Sequence, residues 1–237
     1  MVKLTINEKS YKYPNGYKDV TLKEFKQIQD FLYSERNKGR LERVIKGKVT
    51  KKNEEDTLNF FVEFINYVTN IPTKDLKQVR RFTKDEELGI EDLFYSLSFL
   101  FSVPQIETPK PAERIGNYYF IDKIDLSQAI LKDLNFIDYT EANAVINVFN
   151  ELKEGRYEYL NNLLAIMYRP KVKKHFWSKA VIEPYNYDTM IDRCKEFENL
   201  TMDKVFNCMF FFMQLKTNSL KNIQHYLKEE LGKAQLD

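Results

Sequence analysis

Residues 171–179 read KVKKHFWSK, a compact group of side chains able to do chemistry in a chain of 237 residues. Lys171, Lys173, Lys174 and Lys179 carry positive charge, His175 can titrate, and Phe176 and Trp177 add two large rings. Basic residues interleaved with aromatics can hold single-stranded nucleic acid by charge and stacking. The same mixture can dock a protein, with an aromatic anchor inside a charged rim. It can also be a solvated loop whose rings fold back onto the core, since large aromatics are mostly buried. The charge balance, 37 basic against 35 acidic residues and a net +2, weighs against a nucleic-acid role. The expected partner-binding set is therefore Lys171, Lys173, Lys174, Phe176 and Trp177. The lysines would face a protein partner while Phe176 or Trp177 anchors the loop. Apolar surface costs about 25 cal/mol per Å2 in water, so at least one ring is expected to be covered.

Other reactive constellations are absent from the sequence. Phosphate-cradling loops need clustered glycines, and the seven glycines here are scattered without GxGxxG or GxxxxGK[ST]. The two histidines, His175 and His225, belong to no HExxH, and no Ser/His or Cys/His pair has a local signature. The carboxylate clusters Glu54-Glu55-Asp56 and Asp85-Glu86-Glu87 precede or open helices, where the macrodipole favours negative charge. Cys194 and Cys208 are too few for a disulfide framework or a four-ligand zinc site, and read as buried thiols of a reducing compartment. A non-enzyme is expected, with no catalytic residue, cofactor or metal.

The elements that would position the 171–179 group follow from periodicity. Val2, Leu4 and Ile6 alternate with polar residues, Asn7–Lys9 supply a turn, and Tyr11 and Tyr13 alternate on a return strand. Thr21 and Glu24 form a capping box ahead of a helix with Leu22, Phe25, Ile28 and Leu32 on one face. Residues 34–53 are rich in Lys and Arg and read as a short helix or an exposed connection. A strong helix follows, with Leu58, Phe61, Val62, Ile65 and Val68 as its apolar stripe, ending before Pro72. Thr73 reads as the cap of a short helix, Thr83 and Glu86 as a second capping box, and 89–102 as a largely buried helix.

Three prolines in 102–113 mark a linker. Gly116-Asn117 between Ile115 and Tyr118 then reads as a second tight hairpin. The layout of hairpin, polar connection and Asp138-Tyr139-Thr140 before a helix echoes the first half, where Asp19-Val20-Thr21 stands. Helices are expected near 141–152, 157–168 and 188–198, with Arg169-Pro170 stopping the second of these. The run MDKVFNCMFFFMQLK after Thr201 is apolar in nearly every direction and reads as the central helix. A closing amphipathic helix follows Ser219. The longest apolar run, 208–213, is too short to span a bilayer, and the N-terminus lacks the apolar core of a signal peptide. The expected fold is mainly α, a multi-helix body with two small β-hairpins, near the N-terminus and near residue 115. Its expected parts are 1–103, a linker 104–113, and 114–237, with one shared core. That sharing is tested by expressing the halves separately: two cooperative, monomeric fragments would disprove it.

Three stretches taken together, LTINEKSYKYP with TLKEF, NNLLAIMYRP, and LTMDKVFNCMFFF, resemble helical proteins encoded among the virion and tail genes of tailed bacteriophages. In those proteins a short hairpin precedes a T-x-x-E helix, and an LAILYRP-like run precedes a late apolar helix. The resemblance implies a non-enzymatic assembly role, as a tail-assembly chaperone or a minor virion component. The partners it implies are other phage structural or tail proteins, with self-association as a further contact, and no membrane. The implied location is the host cytoplasm during assembly, with or without retention in the virion. Residues 34–57 and 171–187 lie outside the resemblance, and no functional residue is carried over by it. The alternative from the residues themselves is a nucleic-acid-binding accessory protein using Lys171–Lys179.

Overall fold

The computed structural model describes residues 1–6, 8–79, 89–102, 104–120, 140, 157–173, 177, 179–214 and 217. The fold is mainly helical with two small antiparallel sheets. Two compact units divide the chain, 1–105 with 201–203, and 106–200 with 204–237. Several expected features lie outside the described residues: the Thr83/Glu86 box, the helix after Thr140, and the closing helix with His225.

The first unit opens with strands β1 (Val2–Ile6) and β2 (Lys9–Tyr13), paired from Val2↔Tyr13 to Ile6↔Lys9. Lys9 is thus already in the strand, and Glu8 turns the chain with φ 63°. An isolated two-stranded hairpin is marginal in water and must pack on something. Here Ile6 and Tyr13 are buried, and the Tyr13 hydroxyl donates to the Leu93 carbonyl and pairs with Ser96 Oγ at 3.0 Å. Burial pushes that hydroxyl up to about 12, so it remains a proton donor at neutral pH.

Helix α1 (Leu22–Tyr33) starts at the Thr21/Glu24 capping box and buries Leu22, Phe25, Ile28 and Leu32. Gln29 is buried as well, donating to the Leu100 carbonyl at 2.8 Å. The basic stretch forms a true helix, α2 (Glu35–Ile45), closed by Gly47 at φ 62°. The Lys48 N–H donates to the Arg43 carbonyl and the Gly47 N–H to the Val44 carbonyl, the paired bonds of a Schellman cap that glycine accommodates best.

Helix α3 (Glu54–Thr69) buries Phe60 and Phe64 beside Phe61, Val62 and Ile65, whereas the expected Leu58 and Val68 are only half-buried. The stripe is rotated because the rings meet an aromatic cluster. Phe94 stacks on Phe61 with centroids 4.1 Å apart, and lies 5.8 Å from Phe60 and 5.5 Å from Phe64. Asn70 in the left-handed region ends α3 before Pro72. Helix α4 (Thr73–Leu76) has Pro72 rather than Thr73 at its cap position, consistent with proline's preset φ. Helix α5 (Ile90–Ser96) passes into a 3-10 turn, Ser98–Phe101. Residues 201–203 belong to this unit: Thr201 bridges Thr21, and the Met202 N–H donates to the Val20 carbonyl at 2.9 Å.

In the second unit the hairpin near residue 115 is part of a larger sheet. Strands β3 (Arg114–Ile115) and β4 (Tyr118–Phe120) turn at Gly116, whose φ of 55° suits glycine. Helix α6 (Leu160–Met167) leads without a loop into β5 (Tyr168–Val172), which pairs with β4 and with β6 (Val181–Ile182). The order is β3-β4-β5-β6. Helix α7 (Tyr187–Cys194) follows, capped by the Asn186 side chain, and helical residues 204–214 complete the described part of this unit apart from Thr217.

Candidate functional site

Lys173, Trp177 and Lys179 lie between the antiparallel strands β5 and β6, so these members of the basic-aromatic group belong to a β-hairpin rather than to a connection between helices. Helix α6 ends at Met167, ahead of Arg169-Pro170, which lie within the strand that follows. Pro170 stands opposite Tyr118, and its carbonyl accepts from the Glu183 N–H at 2.9 Å on the β6 side. Having no N–H to return, proline ends the β5–β6 ladder at that pair. The period-2 alternation of Tyr168, Pro170 and Val172 with Arg169 and Lys171 was the readable signal of this strand.

Alternation gives the sheet two unlike faces. Tyr118, Phe120 and Tyr168 share one face and meet the unit's core. Tyr118 lies 5.3 Å from Phe197, and Phe120 lies 5.2 Å from Tyr168 and 5.3 Å from Phe211, ring to ring. The Tyr168 hydroxyl donates to the Ala112 carbonyl at 2.9 Å, and burial pushes its pKa well up. Desolvation, with a hydrogen bond to Glu196, pushes the Tyr118 hydroxyl up to about 12. The opposite face carries Arg114, Tyr119, Arg169 and Lys171. Lys171 Nζ stands 4.0 Å and the Arg114 guanidinium carbon 5.2 Å from the Tyr119 ring centroid, so this ring holds two cations.

One buried residue sets the base of the hairpin. Arg193 on α7 is 5% exposed and donates to the carbonyls of Ala165 (3.2 Å) and Tyr168 (3.3 Å), to Glu183 Oε2 (2.5 Å) and to Thr189 Oγ1 (3.2 Å). It joins the end of α6, the start of β5 and the residue after β6. In sequence Arg193 looks like one more polar position on an amphipathic helix, and nothing local marks its role.

Lys171 and Lys173 are exposed, and Lys179 with them. Trp177 is 92% exposed, so the anchoring role does not belong to it, and the expectation that both rings could fold inward fails at this position. Lys174, His175 and Phe176 lie outside the described residues. Arg114 and Tyr119 join the site across the sheet, and only long-range strand pairing could have found them.

Burial also bears on the thiols. Cys208 is fully buried and its pKa is pushed well up by desolvation, which suppresses the thiolate that nucleophilic chemistry requires. Cys194 is buried near Asn162 Oδ1 (3.5 Å) and Met190 Sδ (3.6 Å). Among the described residues, no group of three or more His, Cys, Asp or Glu side chains could hold a metal ion. Among the same residues, no helix is long and apolar enough to cross a membrane. Comparison with known protein families, curated proteins and solved structures gives no match.

Proposed function

We propose that this chain is a non-enzymatic assembly protein of a tailed bacteriophage, a tail-assembly chaperone or minor virion component, and that the β5–β6 hairpin docks it to a partner protein. The phage setting rests on the sequence resemblance. The docking element rests on one observation: Trp177 is 92% exposed at a hairpin tip between exposed Lys173 and Lys179. A large ring held in water is the usual centre of a binding hot spot, and charged neighbours steer association while remaining hydrated. The clamp at Arg193 fixes the base of the hairpin, so the tip is presented on an ordered support.

The test is a benzophenone amino acid in place of Trp177, irradiated in cells that are assembling particles. One discrete adduct with a particle protein is expected. No adduct from position 177, with efficient crosslinking from the exposed position of Tyr95, would remove the hairpin as the docking element. Mass spectrometry of purified particles separates the two assembly roles: a virion component stays in the particle, and a chaperone does not.

A further inference from the structure

The small net charge conceals a strong local excess. Residues 34–53 hold three arginines and five lysines against Glu35 and Glu42, a local +6 in a chain whose total is only +2. The two kinds of cation are sorted. Each arginine has a carboxylate partner on α3: Arg40, 8% exposed, pairs with Glu63 (2.9 Å) and Asp56 (3.0 Å), the exposed Arg36 pairs with Glu63 (2.8 Å), and the half-exposed Arg43 with Asp56. The lysines turn to water. Every residue from Ile45 to Lys52 is exposed, and Lys46 bonds Glu42 on its own helix. Among the described residues no carboxylate stands within ion-pair distance of Lys48, Lys51 or Lys52.

This connection has a fixed shape. The Schellman cap at Gly47 sets its start. Asn53 sets its end, with Oδ1 accepting from the Thr50 N–H at 2.7 Å and Nδ2 donating to the Lys48 carbonyl at 3.3 Å. The lysine backbone positions are therefore ordered before any ligand arrives, which lowers the entropy cost of binding.

We propose that the α2–α3 connection, Lys46 to Lys52, binds the phosphate backbone of a double-stranded nucleic acid without reading its sequence. Lysine binds phosphate as a hydrated point charge, without the bidentate geometry of arginine, and interfaces between proteins are depleted in lysine. Here each arginine is already paired with a carboxylate of α3. Residues 34–53 contain no aromatic side chain, so nothing can stack on the bases of a single strand. Exposed apolar surface is limited to Ile45 and Val49, far less than the continuous apolar face that a lipid-surface helix needs. The nearby Glu54 and Glu55 lie in the first turn of α3, where the positive helix end offsets their charge.

The test is fluorescence anisotropy of the full chain with a labelled random duplex across about 50 to 200 mM salt. Binding should weaken with salt at a log–log slope of about −0.9 per phosphate neutralised. The combined variant Lys48→Ser, Lys51→Ser, Lys52→Ser should make that slope shallower by about 2.7, with an unchanged melting temperature. The variant Lys171→Ser, Lys173→Ser, Lys174→Ser should keep the full slope. Absence of salt-dependent binding overturns the proposal, as does loss of binding only in the hairpin-lysine variant. Tighter binding of a single strand than of the duplex also overturns it. So does capture by phosphatidylglycerol-containing vesicles without duplex binding.

Discussion

The two units hold their β-structure in opposite ways. In the first, the β1–β2 hairpin is tied down by phenols: Tyr13 donates to Leu93, and Tyr11 donates to Asp75 at 2.5 Å, with Lys9 Nζ at 3.3 Å from the same carboxylate. In the second, the β5–β6 hairpin depends on one guanidinium that serves four acceptors. A neutral hydroxyl can be removed at the cost of roughly one hydrogen bond. A buried cation cannot, because its removal leaves two buried carbonyls without this donor and the partly exposed Glu183 carboxylate without its charge partner. Anchoring is thus distributed in the first unit and concentrated in the second.

The most severe way to break this contrast is Arg193→Met, which keeps the side-chain length and deletes the charge. It should cost about 3 kcal/mol of stability, the low end of the range for breaking a buried pair, because Glu183 is partly exposed. Amide exchange in β5 and β6 should accelerate while β1 and β2 keep their protection. Equal loss of protection in both hairpins would show that the anchoring is not local. Tyr13→Phe is the matching change in the first unit. It should cost about 1 kcal/mol, roughly one hydrogen bond, because the Leu93 carbonyl still accepts from Ser96 Oγ at 2.7 Å while the ring still packs. A chemical denaturation curve measures the difference, and a loss as large as that of Arg193→Met would erase the contrast.

The same contrast explains what could be read in advance. The first hairpin, the Thr21/Glu24 box and the face of α1 are local patterns, each decided within about ten residues of chain, and all three were legible. The sheet of the second unit was not, because β4 and β5 pair across a long stretch of chain and Pro170 mimics a plain helix stop. Trp177 was visible as a candidate, but its exposure was not: ring size predicts burial on average, and a hairpin tip overrides the average. The buried face of α3 differs from its apolar spacing because Phe60 and Phe64 answer to Phe94, whose place is set by tertiary packing. The lysine-arginine sorting in 34–53 was equally invisible, since it depends on Glu63 and Asp56 of a different helix.

A pH titration sharpens the first half of the comparison. The hydrogen bond from Tyr11, with Lys9 beside it, holds the Asp75 carboxyl below its ordinary range. A depressed folded-state pKa contributes stability above the unfolded value, near about 3.9, and loses it as pH falls through the folded value. The melting temperature should therefore drop on acidification below that range. Asp75→Asn should flatten this acid limb, since its amide oxygen can still accept from Tyr11 without titrating. An unchanged acid limb in the variant would mean that other carboxylates govern it.

The smallest expected effect belongs to the residue with the largest proposed role. Trp177→Ala removes the biggest side chain in the protein, and in a core this change would cost about 3–5 kcal/mol. At 92% exposure the ring has little apolar contact to lose, and surface changes of this kind stay within about 0.5 kcal/mol. The variant should thus melt with the parent protein, and so should Lys173→Ser. Partner capture should nevertheless fall, because a hot-spot aromatic contributes at the interface rather than to the fold. Stability and binding are then separated at the β5–β6 hairpin: Arg193 at its base controls the first, and Trp177 at its tip the second. If Trp177→Ala destabilises the protein by several kcal/mol, the tip is part of the folding core and the separation fails.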